Sequence, residues 1–146
     1  MTLSIRNQFP GTVTTVTAGE AMATVRIRLD GGQDLTAAIT VESVTELGLA
    51  QGSSVRALVK STEVSLATAP VQNVSIRNQN VSIRNQLPGT VTAVATGAAM
   101  ATVKIAVEGG VLTSAITADA ATDLALVAGA PVVALIKSTE VSLATA

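Results

Sequence analysis

The chain carries its own sequence twice, and that constrains its fold more than any single motif does. Residues 4–19 (SIRNQFPGTVTTVTAG) return as residues 82–97 (SIRNQLPGTVTAVATG), and residues 57–69 (ALVKSTEVSLATA) return as residues 134–146 (ALIKSTEVSLATA). Two motifs repeated in the same order imply two copies of one fold, and the stretches that changed least are where a duplicated site would lie. The expected division is residues 1–70 for a first domain, 71–80 for a linker and 81–146 for a second domain.

Units of this size sit near the lower limit for independent folding. Phe9 is the only aromatic residue, and the 48% apolar content leans on Ala, Val and Leu. Such a unit buries a modest area alone, so self-association is expected. Nine Lys and Arg against ten Asp and Glu give a formal charge of -1, which supplies neither a basic footprint for nucleic acid nor a polybasic membrane patch. Cysteine is absent, so disulfides and thiolate ligands are excluded. With no signal-like start and no long apolar run, a soluble, intracellular protein is expected.

The apolar spacing is mostly period two. Val25, Ile27 and Leu29 share one face while Arg26 and Arg28 share the other, as Val103, Ile105 and Val107 do against Lys104. Strands are expected at residues 3–16, bent or interrupted at Pro10-Gly11, and at 24–29, 35–39, 54–60 and 63–67, with counterparts in the second copy. Pro10 suits an edge, a bulge or a crossover. Short strands joined by Gly-rich turns indicate a small barrel or sandwich. Thr40 caps a short helix over 41–47, ended by Gly48. The second copy is one residue shorter between Gly110 and Leu112, where a turn absorbs the loss. The heptad NVSIRNQ occurs in tandem at 73–79 and 80–86. Only the second runs on into Leu-Pro-Gly, so the first is expected to lie in the linker and Ser82, Arg84 and Asn85 to match Ser4, Arg6 and Asn7.

Histidine is absent, which removes an imidazole base and the common zinc sites. No nucleophile motif stands in a convincing context, so catalysis is not expected. What remains is a duplicated set of donors: Ser4, Arg6, Asn7, Lys60 and Ser61, then Ser82, Arg84, Asn85, Lys137 and Ser138. Cationic and hydroxyl donors together suit a small anion with several acceptor oxygens. The bland alternative is ordinary surface charge beside strands. Against it, Arg28 and Arg56 become Ala106 and Val133 in the second copy, while the basic residues of the donor sets are kept. Leu58 beside Lys60, and Leu135 beside Lys137, are expected on the outward face as an oligomer contact.

These residues carry a resemblance. S-I-R-N-Q-[FL]-P-G-T-V, a middle G-G and L-T-x-x-I-T, and a closing A-L-[VI]-K-S-T-x-V resemble the Mop domain, a molybdate- and tungstate-binding module, and their order twice over resembles the tandem-Mop molbindins. The resemblance implies an all-β chain of two OB-like five-stranded barrels, each with a short helix, assembled as a homotrimer. It implies oxyanion contacts from Ser4, Arg6, Lys60, Ser61, Ser82, Arg84, Lys137 and Ser138 across interfaces, with Asn7 and Asn85 in a supporting role and no directly coordinating metal ligand. The expected function is cytoplasmic molybdate binding for storage or homeostasis, with tungstate as a second ligand, no cofactor, and no nucleic-acid or membrane partner. The competing classes are an oligonucleotide-binding OB module, which lacks stacking aromatics here, and a purely structural oligomer.

Overall fold

A computed structural model of the chain describes residues 2–68 and 81–145. The extra heptad at 73–79, and with it the expected linker, lies outside them. The described residues form ten strands, two short helices and two single 3-10 turns. The strands are β1 (Asn7–Ala18), β2 (Met22–Leu29), β3 (Asp34–Thr40), β4 (Ser54–Val59), β5 (Ser65–Thr68), β6 (Asn85–Thr96), β7 (Met100–Val107), β8 (Gly110–Thr117), β9 (Pro131–Ile136) and β10 (Ser142–Thr145). Helix α1 spans Val41–Leu47 and α2 spans Ala118–Asp123, and the 3-10 turns are Ser61–Glu63 and Ser138–Glu140.

The sheets are ordered β10-β4-β1-β2-β3 and β5-β9-β6-β7-β8. The last strand of each copy therefore completes the sheet of the other. Ser142 pairs with Leu58 and Thr145 with Val55 in the first sheet, and Ser65 pairs with Leu135 and Thr68 with Val132 in the second. The compact units are accordingly Met1–Lys60 with Lys137–Ala146, and Ser61–Ile136. The repeats at 1–70 and 81–146 are units of sequence, and each compact unit takes its closing segment from the opposite repeat. Within the first unit the turn ahead of β10 lies against β3, and within the second the turn ahead of β5 lies against β8. Each five-stranded sheet thereby curls toward its own far edge, the OB-like closure.

Period-two alternation places the cores. Along β2, Ala23, Val25, Ile27 and Leu29 are buried while Met22, Thr24, Arg26 and Arg28 are exposed, and β7 repeats this with Ala101, Val103 and Ile105 buried. Val13, Leu35, Val55 and Val59 complete the first interior, and Val91, Leu112, Val132 and Ile136 the second.

Two expectations are corrected here. Pro10 is not on an edge, because β1 runs unbroken from Asn7 to Ala18 between β4 and β2. Its carbonyl accepts from Asp30 N at 3.0 Å, just past the Gly11 and Leu29 pair that ends the β2 ladder. The backbone N and O of an extended residue point the same way, so the missing donor falls where no rung is lost. The irregularity lies further on, between Val13 and Thr15, and between Val91 and Ala93 in the second copy. Leu58, expected to be outward and open, is only 7% exposed, and Leu135 is half-buried. Alternation assigns a side chain to a face but does not decide what covers that face.

Candidate functional site

The opening motif is a loop braced by its own side chains. Arg6 donates from Nε to Ser4 O at 3.1 Å and from Nη2 to Leu3 O at 2.7 Å, and Gln8 donates from Nε2 to Ile5 O at 3.0 Å. The second copy repeats all three: Arg84 to Ser82 O at 3.2 Å and to Val81 O at 2.6 Å, and Gln86 to Ile83 O at 3.0 Å. Two of the five guanidinium N–H groups are thus spent on backbone, which fixes the plane of the fork and leaves the rest for a ligand. The sequence reading missed Gln8 and Gln86, although their retention in both copies was the available signal.

Asn7 and Asn85 are 2% and 3% exposed and engaged inside the protein. They open β1 and β6, where Asn7 faces Val59 and Asn85 faces Ile136. These rungs end their ladders, so Arg6 and Lys60 leave the first sheet from the same end. In the second sheet Arg84 precedes Asn85, and Lys137 follows Ile136. Both lysines are exposed. Among the described residues the ion pair is that of Arg28 and Asp34, 2.5 Å apart on the open sheet face. The hydrogen bond to Asp34, and its charge, hold the Arg28 guanidinium above its ordinary pKa. Among the described residues no carboxylate forms such a pair with Arg6, Lys60, Arg84 or Lys137.

Ser61 and Ser138 open the two 3-10 turns. Their Oγ atoms are buried and have no hydrogen-bond partner among the described residues. A buried hydroxyl left unpaired costs about 1–3 kcal/mol, and its occurrence at the same position of both repeats points to a partner from outside. Ser4 and Ser82 are exposed. The strand exchange redistributes the donors: Ser138 belongs to the unit holding Ser4, Arg6 and Lys60, and Ser61 to the unit holding Ser82 and Arg84. No cluster of His, Cys, Asp and Glu able to hold a metal ion occurs among the described residues, and none of their helices is long and apolar enough to cross a membrane. The arrangement offers hydroxyl and cationic donors.

The TOBE domain profile matches residues 3–66 and 81–143. The chain belongs to the TOBE-domain family, with two copies in tandem. Among its relatives, molybdenum-pterin-binding protein MopB of Rhodobacter capsulatus is 42% identical over 143 residues, 97% of this chain and 50% of that protein. Molybdenum-pterin-binding protein 2 of Clostridium pasteurianum is 39% identical over 66 residues, 45% of this chain and 97% of its own length. A crystal structure of the cytoplasmic molybdate-binding protein ModG, with molybdate bound, matches with a TM-score of 0.91 and 41% identity over 100% of both chains. The chain spans about half the length of the longer curated relatives that it matches over nearly all of its own.

Proposed function

We propose that this chain is a cytoplasmic molybdate-binding protein of molbindin type, serving storage or homeostasis without catalysis. The observation that carries the reading is the pair of buried, unpartnered hydroxyls of Ser61 and Ser138, in segments that also bear the exposed cations Lys60 and Lys137. Molybdate is a tetrahedral dianion with acceptors only, so hydroxyl and cationic N–H donors satisfy it without redox chemistry. Tungstate, alike in charge and shape, uses the same donors. The proposed ligand set is Ser4, Arg6, Lys60, Ser61, Ser82, Arg84, Lys137 and Ser138, with Asn7 and Asn85 supporting the loops from inside. Relatives named for molybdenum-pterin binding and a near-identical fold in a molybdate-binding protein support the choice of ligand.

A homotrimer with oxyanions at subunit interfaces belongs to the same proposal. It is supported by the small interiors and by Met22 and Met100, 49% and 46% exposed at matching positions of the two repeats. Oligonucleotide binding has less in its favour, since Phe9, the sole aromatic, is half-buried and its counterpart Leu87 is buried.

Calorimetric titration with molybdate, tungstate and sulfate tests the ligand. The native chain is expected to bind the first two, and Arg6→Ala or Lys60→Ala to weaken binding by about 1.5–3 kcal/mol, roughly 10- to 150-fold, with little change in thermal stability. Unchanged titrations in both variants would remove these residues from the site. Mass measured in solution with molybdate present tests the trimer, and a monomer at micromolar concentration would exclude it.

A further inference from the structure

Ser114 is wholly buried, at 0% exposure. Its hydroxyl donates to Val64 O at 2.7 Å. Val64 follows the 3-10 turn that Ser61 opens, and its N–H donates to Ser61 O at 3.3 Å. Two hydrogen bonds in series therefore tie the middle of β8 to the residue whose Oγ is buried and unpartnered.

The other unit lacks this tie. Ala37 stands at the equivalent position, 0% exposed, opposite Val25 as Ser114 is opposite Val103. Strand β3 lies against the Ser138–Glu140 turn as β8 lies against Ser61–Glu63, but a methyl group donates nothing. The Ser138 turn keeps its own closure, Val141 N to Ser138 O at 3.4 Å and Glu140 N to Lys137 O at 2.9 Å, but neither bond reaches β3.

From this asymmetry we infer that Ser114 is a positioning residue for the Ser61 hydroxyl, and that it makes the two oxyanion sites of one chain unequal, the site drawing on Ser61 being the tighter. The inference rests on the reading of Ser61 and Ser138 as donors. A donor fixed before the ligand arrives loses less freedom on binding than one whose turn must still be ordered. The duplication thus yields two sites of graded affinity from nearly identical motifs, and the grading is set by a residue that touches no ligand.

The test is titration of the full chain with molybdate in three forms: native, Ser114→Ala and Ala37→Ser. The native chain should show two classes of site. Ser114→Ala should weaken the tighter class by about two- to ten-fold, the worth of one hydrogen bond, and leave the weaker class in place, while Ala37→Ser should tighten the weaker class. A merely structural Ser114 would lower the thermal midpoint and leave the ratio of the two affinities unchanged, which would overturn the inference. So would a native chain whose sites titrate as a single class, or a Ser114→Ala variant that shifts both classes equally. Absence of molybdate binding in all three forms would instead refute the donor reading, and the inference with it.

Discussion

Glycine 89 shows how a single position is fixed by its neighbours across the sheet. A Cβ there would stand 2.5 Å from Ala106 O and 2.7 Å from Ile105 Cγ2, and one on Gly11 would stand 2.7 Å from both Arg28 O and Ile27 Cγ2. The contacts are with strand backbone and a buried branched side chain, neither of which yields cheaply. Gly89→Ala should therefore destabilise the protein by about 1–3 kcal/mol, read as a drop in the urea midpoint, and an unchanged midpoint would show that β6 and β7 do not approach so closely. The proposed donors could be picked out at this scale only by type, since identical Ser, Arg, Asn and Lys-Ser sets stand in both repeats. Their division of labour could not. Asn7 lies inside, and Arg6 turns back onto the carbonyls of Leu3 and Ser4, because side-chain direction at and beyond the last ladder rung depends on the path of the loop.

At the scale of the element, the helix ends carry an experiment already half performed by the repeat. Thr40 Oγ1 accepts from Ser43 N at 3.1 Å, and Thr117 Oγ1 from Ala120 N at 3.1 Å, so both starts follow the expected capping. The ends differ. Gly48 terminates α1 at φ 62, whereas Ala125 holds φ 53 at the matching position after α2, the one non-glycine residue with positive φ among the described residues. A left-handed L-residue costs about 1–2 kcal/mol, and glycine's extra freedom when unfolded returns roughly 0.5–1 of it. Ala125→Gly should accordingly stabilise the chain by about 0.5–1 kcal/mol and Gly48→Ala should destabilise it by a similar amount, both measured by thermal unfolding. A stabilising Gly48→Ala would contradict the left-handed cap. Most strands were legible because alternation is unbroken along β2 and holds over most of β3 and β7. The strand between Pro10 and Gly11 was not broken as expected, since the cost of a proline depends on which neighbour its nitrogen faces.

For the whole molecule, the exchange of closing strands has a consequence that crosses the repeats. Removing residues 142–146 from the second copy should strip β10 from β4, so that the amides of Arg56 and Leu58 in the first copy, which face β10, exchange faster with solvent, while β9 in the second copy stays protected by β5 and β6. Hydrogen exchange resolved by residue distinguishes the two outcomes. Loss of protection in β9 instead would mean that each repeat closes its own sheet. Edge strands of four residues contribute few rungs, so the effect should be local and not a global unfolding.

The sequence alone determined the duplication, the all-β class and the alternating interiors, because these depend on residue type and on spacing within one strand or turn. It could not determine which sheet each closing strand completes. Residues 61–69 and 138–146 read STEVSLATA in both copies, and two identical segments fit either partner by every local rule. The choice made in the tertiary structure depends on the path of the chain through Lys60 and Lys137, and that path groups Ser138 with Arg6 and Ser61 with Arg84.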